Sequence, residues 1–290
     1  MKTYNYILFF ILKVLKTPLT YFYMTILPLL SYLIIYMFEN KFDNIKIAPH
    51  YALCLFLLPS IFSILFLNGF IIDWNKSIAN SYCKIFKSNK KDLGFFISFL
   101  LFEIIFQVIF IVLIIIIDLF FKNKSMINMI SFNHMKTEYD ISFSWFNQIC
   151  RFFIILLLFI LNYIFILLVI ILNEKIFSTH WSIRVFPSLF FISYIFMSGM
   201  INFTINNNAF FKVVAYLLPQ RAITWLLGSI YYGSFVNREL IYLTLENYYD
   251  ILLFTNNYVP FILIFTYISL LITSCIFIER KNVFYEKNKN

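Results

Sequence analysis

Residues 152–172 form a strongly apolar run that contains no charged side chain. Such a run matches the roughly 20 residues that a helix needs to cross about 30 Å of hydrocarbon. Hydrophobic residues make up 62% of the 290-residue chain and charged residues 13%. Because a water-soluble globule of this size has too few polar side chains to cover so much apolar surface, lipid must be its solvent. The sequence therefore predicts a polytopic membrane protein and excludes both a disordered chain and a secreted disulfide scaffold.

Six apolar runs are long enough to cross a bilayer. They lie at residues 19–38, 51–72, 94–120, 152–172, 183–203 and 251–278. Backbone groups in lipid must pair within the chain, and these runs are continuous rather than alternating, so helices are predicted rather than a barrel. We therefore expect an all-α membrane protein with six transmembrane helices, in which residues 1–290 form a single transmembrane domain.

The N-terminal segment, residues 3–17, is predicted to lie as a helix in the membrane interface. Lys13 and Lys16 interrupt its apolar run, and no small-residue cleavage site follows, so a signal peptide is disfavoured. Six spans would divide the connecting segments between the two sides of the membrane. Lys and Arg are about twice as dense in the segments on the same side as the N-terminus as in those on the opposite side. The positive-inside rule then predicts that both termini are cytoplasmic.

Residues 209–232 are apolar enough for a seventh span, but Pro219, Gln220 and Arg221 lie at their centre. Proline lacks a backbone donor and arginine is costly in lipid. A seventh span would also move the basic C-terminal tail outside. We therefore favour a re-entrant helical hairpin before the last span, turning at Pro219 with Arg221 beside the turn.

Sequence motifs for catalysis and for cofactor binding are absent. With five glycines, the chain contains no GxxxxGK[ST] loop, and it has no HExxH or GxSxG motif. The four cysteines lack CxxC spacing, and the three histidines are far apart, so neither a metal site nor catalytic residues are predicted. The net charge of +9 is explained by basic residues between apolar runs, which favours membrane lipid over nucleic acid as partner.

An amphipathic segment follows the second predicted span. Its apolar side chains recur at the spacing of one helix face. They are Ile78, Tyr82, Ile85 and Phe86. Asp73 opens the segment, and Lys76 lies off the apolar face. A helix of this kind can rest on the membrane or dock into the groove of a partner protein.

Glu103 is an isolated acidic residue within the third predicted span, and Gln107 follows one turn later on the same helix face. An ionisable residue at membrane depth is a candidate for the path of a transported molecule. The alternative is a structural group that is protonated or hydrogen-bonded to a neighbouring helix, for example through Asn68 or Asn162.

The layout as a whole resembles the type-2 exporter permeases of the ATP-binding-cassette (ABC) family. Those permeases combine an interfacial helix, six spans, a helix after span two and a re-entrant hairpin before span six. The LeuLeuPro of residues 217–219, followed by Arg221 and residues 225–228, is similar to the family's proline and aromatic-rich half-helix. The chain departs from the family in two ways. It lacks a proline after the amphipathic segment, and its loop of residues 121–151 is longer than the family's usual turn.

The resemblance implies that residues 74–88 form a coupling helix that contacts a separate ABC ATPase subunit. ATP would then act only through that partner, and two permease chains, alike or different, would pair as a dimer. It further implies export of an amphipathic peptide, lipid or drug across a bacterial cell membrane, with antibiotic-peptide export or immunity as one role. The chain would be a transporter subunit and not an enzyme. The alternative is a stand-alone polytopic membrane enzyme or signalling protein.

Overall fold

The computed structural model describes nine parts of the chain. They are residues 8, 11–12, 14–41, 57–66, 90–120, 145–176, 180–198, 217–231 and 258–287. Within these ranges every regular element is a helix, and no strand occurs. The predicted all-α class is therefore confirmed for the part of the chain that the structure describes.

We number seven helical elements in chain order. Helix α1 comprises three consecutive segments, Pro18–Tyr21, the π-helical turn Phe22–Ile26, and Leu27–Lys41. Helix α2 covers residues 58–66. The remaining elements are α3, Lys90–Phe120; α4, Trp145–Ile176; α5, His180–Met197; α6, Pro219–Tyr231; and α7, Tyr258–Lys287.

Three of these helices are long and apolar enough to cross a membrane. Their apolar stretches are Ile97–Ile117 in α3, Ile149–Asn173 in α4 and Tyr258–Ile278 in α7. At 1.5 Å per residue they are about 32, 38 and 32 Å long, which matches the hydrocarbon thickness. Two further apolar helices, Pro18–Ile34 and Val185–Ile195, are shorter than a span. Transmembrane character is thus supported by three helices, and the count of six stays a prediction.

Helix α4 lies at the centre of the described helices. It packs against α3, α5, α6 and α7. Half of its membrane stretch is buried, against a third for α3 and 17% for α7. Side chains at Leu158, Ile166, Leu167 and Ile170 are fully buried. The polar side chains of this stretch, Arg151, Asn162 and Asn173, are buried as well. The rest of the stretch is apolar, so packing against the neighbouring helices decides which of its apolar residues are buried.

The short helix α6 is packed between α4, α5 and α7. It begins at Pro219, where the missing N–H of proline costs no helical hydrogen bond. Thr224 Oγ1 donates a hydrogen bond to the carbonyl oxygen of Ser198 at 2.5 Å, and an Arg221 guanidinium nitrogen donates to the same oxygen at 3.4 Å. These bonds fix the start of α6 to the end of α5. The first half of the predicted hairpin, residues 209–216, lies outside the described residues.

The predicted interfacial helix, residues 3–17, is described only in part. Residues 14 and 15 are helical, and the chain turns at Lys16 before α1 begins. Thr20 Oγ1 donates to the carbonyl oxygen of Val14 at 2.9 Å across this turn. A helix break therefore lies where the sequence places the boundary between the interfacial segment and the first span.

Candidate functional site

Two faces of α3 differ in burial, although both are apolar in sequence. The buried face carries Phe99, Phe102, Phe106 and Phe110, which recur every three to four residues. The ring centroids of Phe102 and Phe106 are 4.5 Å apart. Glu103 and Gln107 lie beside this aromatic row, and both are buried. The helix therefore directs the polar side chains of Glu103 and Gln107 into the protein.

A groove of about 130 Å³ lies between α3 and α4, with Ser60 of α2 also in its lining. Its walls are almost wholly apolar. From α3 they include Leu100, Ile104, Val108 and Ile111, and from α4 they include Ile155, Leu156, Phe159 and Ile160. We call this space the α3–α4 groove.

The rim of the α3–α4 groove is exposed. Val108 is 54% exposed and Phe152 58%, and Ile104 and Leu156 are also exposed. These rim residues belong to the stretches of α3 and α4 that are long enough to span a bilayer. The groove therefore opens sideways, toward the surface that these helices present to lipid chains.

Glu103 lies at the base of the α3–α4 groove. It is 5% exposed, and neither of its carboxylate oxygens has a hydrogen-bond partner among the residues that the structure describes. The buried hydroxyl of Tyr163, on α4, likewise has no partner within the described ranges and lies within electrostatic range of Glu103. The floor of this apolar groove therefore carries two polar side chains to which the described residues make no hydrogen bond.

A buried hydrogen-bond network adjoins this floor. Asn162 Nδ2 donates to Ser60 Oγ at 2.8 Å, and Tyr194 Oη donates to Asn162 Oδ1. Ser60 Oγ itself donates to the carbonyl oxygen of Leu57 at 2.7 Å. The network joins α2, α4 and α5, and through Ser60 it reaches the lining of the groove.

The structure answers one structural alternative for Glu103. The hydrogen-bonding atoms of Asn162 are directed to Ser60 and Tyr194, not to the Glu103 carboxyl. Asn68, the other potential partner, lies outside the described residues. Arg151 is a charged residue on the same helix as Tyr163, but it lies twelve residues earlier, about 18 Å along the helix axis. It is therefore too far along α4 to lie beside Tyr163 on the groove floor.

The site residues predicted from sequence fall into three groups. The predicted ATPase contacts lie outside the described residues; they are Asp73, Lys76, Ile78, Tyr82, Ile85 and Phe86. Glu103 and Gln107 are brought together in the α3–α4 groove. Pro219 and Arg221 lie at the start of α6, in a separate place. Residues 74–88, the predicted coupling helix, are likewise not described.

Sequence reasoning missed Tyr163 and Ser60 as groove residues. The available signal for Tyr163 was its position beside Asn162, a polar pair in the middle of the uncharged run of residues 152–172. Ser60 gave no such signal, because an isolated serine in an apolar helix is common and needs no functional explanation.

A comparison of the chain with family models, with curated proteins and with solved structures gives no match. What the chain does must therefore be inferred from its own residues. Chemically, the α3–α4 groove combines apolar walls with a carboxyl, a phenol and an amide at its base, an arrangement suited to a molecule with an apolar body and a polar end.

Proposed function

We propose that this chain is the permease subunit of an ABC exporter, which moves an amphipathic substrate across the cytoplasmic membrane and is driven by a separate ATPase subunit. The observation that carries the proposal is the α3–α4 groove, with the Glu103 carboxyl buried at its base and its rim open toward lipid. Ionisable groups inside membrane spans are costly, and those that persist generally serve binding, ion or substrate pathways.

A purely structural role for Glu103 is the less satisfactory explanation. Structural polar groups at membrane depth normally bond to a neighbouring helix, as Asn162 does here. The Glu103 carboxylate has no such bond to any described residue. A binding role supplies the missing partner, because a transported molecule would satisfy the carboxyl while it occupies the groove.

The proposed topology has six spans, an interfacial helix at residues 3–17, and both termini in the cytoplasm of a bacterial cell. Helix α6 would be the second half of a re-entrant hairpin. Its 13 residues reach about 20 Å, short of a full crossing, and it is covered by α4, α5 and α7. Irregular backbone at that depth is tolerated where protein surrounds it.

The proposed energy source is ATP hydrolysis by a partner. The sequence has no phosphate-binding loop of the GxxxxGK[ST] type, and the nucleotide is therefore proposed to act through another subunit. Residues 74–88 are proposed to form the contact, with the apolar face of this segment seated in the ATPase. Two permease chains would complete the transporter, and closure of the ATPases would bias them between two conformations.

The Phe86→Asp variant tests this partnership. A buried charge on the apolar face of residues 74–88 is expected to reduce the ATPase recovered with the affinity-purified native complex at least tenfold. Recovery is measured in mild detergent by quantitative mass spectrometry and by ATP hydrolysis of the eluate.

Ser88→Asp is the matched control, because it introduces the same charge outside the apolar face. Wild-type recovery of the ATPase is expected for this control. The proposal is wrong if no ATPase accompanies the wild-type chain, or if Phe86→Asp retains the ATPase as fully as Ser88→Asp does. Absence of an ATPase would favour a membrane enzyme or signalling protein that acts without one.

A further inference from the structure

The charge distribution in the α3–α4 groove selects among amphipathic ligands. Glu103 supplies a carboxyl at the base, and no Lys or Arg is among the described residues that line the groove. An anionic head group would meet the carboxyl without a compensating cation. A neutral head group would gain only an ordinary hydrogen bond. An ammonium group can form charge-assisted hydrogen bonds with the two carboxylate oxygens, which have no hydrogen-bond partner among the described residues.

We infer that the α3–α4 groove binds a cationic amphiphile, with its ammonium group on Glu103 and its apolar chain along Ile104, Val108 and Leu156. This inference rests on the proposed function in that it names the class of molecule that the exporter would carry. Tyr163 extends the recognition, because its buried hydroxyl lies within electrostatic range of Glu103 and can accept a hydrogen bond from the same ammonium.

The shape of the groove fits a single alkyl chain better than a bulky ligand. Its volume is about 130 Å³, and its α3 wall from Leu100 to Ile111 is about 16 Å long. A space of this size accommodates the head group and the first part of a chain. The exposed rim at Val108 and Phe152 leaves the rest of the chain in contact with lipid.

The route of entry follows from the same exposure. The rim residues lie on stretches of α3 and α4 long enough to span the bilayer, so a ligand already dissolved in the lipid can enter sideways. A cationic amphiphile partitions into the membrane with its charge near the headgroups, which concentrates it next to the groove. Binding then requires movement within the leaflet and no passage through water.

Photolabelling tests this inference directly. The purified chain is placed in phosphatidylcholine nanodiscs and exposed to dodecylamine that carries a diazirine in its chain, and the labelled peptides are identified by mass spectrometry. The matched probe is the corresponding dodecanol. We expect the amine to label α3 and α4 peptides around Val108 and Leu156, and Glu103→Gln to lower that labelling about tenfold. Unlabelled dodecylammonium should compete, and dodecyl sulfate should not.

Asp118→Asn is the control, since it removes a carboxyl from the same helix about 22 Å farther along the axis. It should leave amine labelling unchanged. Equal labelling of the wild type by amine and alcohol, or unchanged amine labelling in Glu103→Gln, overturns the inference. If Glu103→Gln does not fold, Val108→Trp serves instead. Its bulky side chain on the exposed rim should block labelling by the amine. Labelling of Val108→Trp at the wild-type level would contradict the inference.

The outcome is independent of the ATPase, because no nucleotide or partner is present in the nanodisc. Selective amine labelling without a co-purifying ATPase would retain the binding site and reject the exporter proposal. If an ATPase co-purifies but the amine does not label the protein selectively, the exporter proposal is retained and the binding site is rejected.

Discussion

Replacing Asn162 with leucine is expected to lower the free energy of unfolding by about 2–4 kcal/mol. Leucine has a similar size, so the loss is due mainly to hydrogen bonds and not to a cavity. Tyr194 would lose the acceptor that Asn162 Oδ1 provides for its hydroxyl, and Ser60 would lose the donor that reaches it from Asn162. Removing one partner of a buried hydrogen bond costs about 1–3 kcal/mol. The variant is measured by reversible unfolding in mixed micelles.

The pairwise bonds themselves are expected to be weaker than this total. Interhelical hydrogen bonds in membranes average about 0.6 kcal/mol in double-mutant cycles and reach about 1.7 kcal/mol. A cycle of Asn162→Leu with Tyr194→Phe should give a coupling in that range. Tyr163→Phe is the matched control, because its hydroxyl has no hydrogen-bond partner within the described ranges. If the free energy of unfolding of Asn162→Leu is within about 0.5 kcal/mol of the wild-type value, the network has no structural importance. That margin is about the size of the effect of a neutral surface substitution.

The opposite sign is expected at Glu103. Replacement by methionine, which has a similar shape, should raise the free energy of unfolding by about 1–3 kcal/mol. The reason is that the folded protein keeps a carboxyl in an apolar groove without a hydrogen bond from any described residue. Such a cost is tolerated where function needs the group, and removing it commonly stabilises a protein while activity falls.

Gln107→Met is the control for that experiment. Gln107 lies one turn along the same face of α3 and also lines the groove, but it has an interaction of its own with another group. Its replacement is expected to destabilise the protein. If Glu103→Met is destabilised to the same degree, Glu103 is a structural group and its role in binding is rejected.

The membrane class and the helical class could be predicted from the sequence because both follow from composition and from the length of apolar runs. Residues 94–120, 152–172 and 251–278 each contain most of a described helix long enough to cross a bilayer. Hydropathy alone was sufficient for these three, since the cost of exposing backbone in lipid leaves few alternatives to a helix.

The partners of polar side chains could not be predicted in the same way. Asn162 was a potential partner for Glu103 on composition, yet it bonds to Ser60 and Tyr194. The spacing of residues along one helix determines which of them share a face. It therefore predicted that Glu103 and Gln107 lie together. The register and rotation of one membrane helix against another depend on the shapes of the packed side chains and on the positions of small residues. An apolar sequence has little periodicity from which these can be predicted.

The size of the groove was also beyond sequence reasoning. Residues from three helices line the groove, among them Glu103 of α3, Tyr163 of α4 and Ser60 of α2. No single residue in this set is unusual for a membrane helix except Glu103. Glu103, with Gln107 one turn farther along the same helix, was therefore the part of the site that sequence could identify, and the phenol and hydroxyl near it required the structure.

ATP-dependent uptake of the dodecylammonium ion into inside-out vesicles tests the central claim most directly. The vesicles contain the native complex, and uptake into them corresponds to export from the cell. The account predicts uptake by the wild type and by Asp118→Asn, and at least tenfold slower uptake by Glu103→Met at equal protein content. Uptake by Glu103→Met at the wild-type rate would contradict the claim that the α3–α4 groove carries the transported molecule.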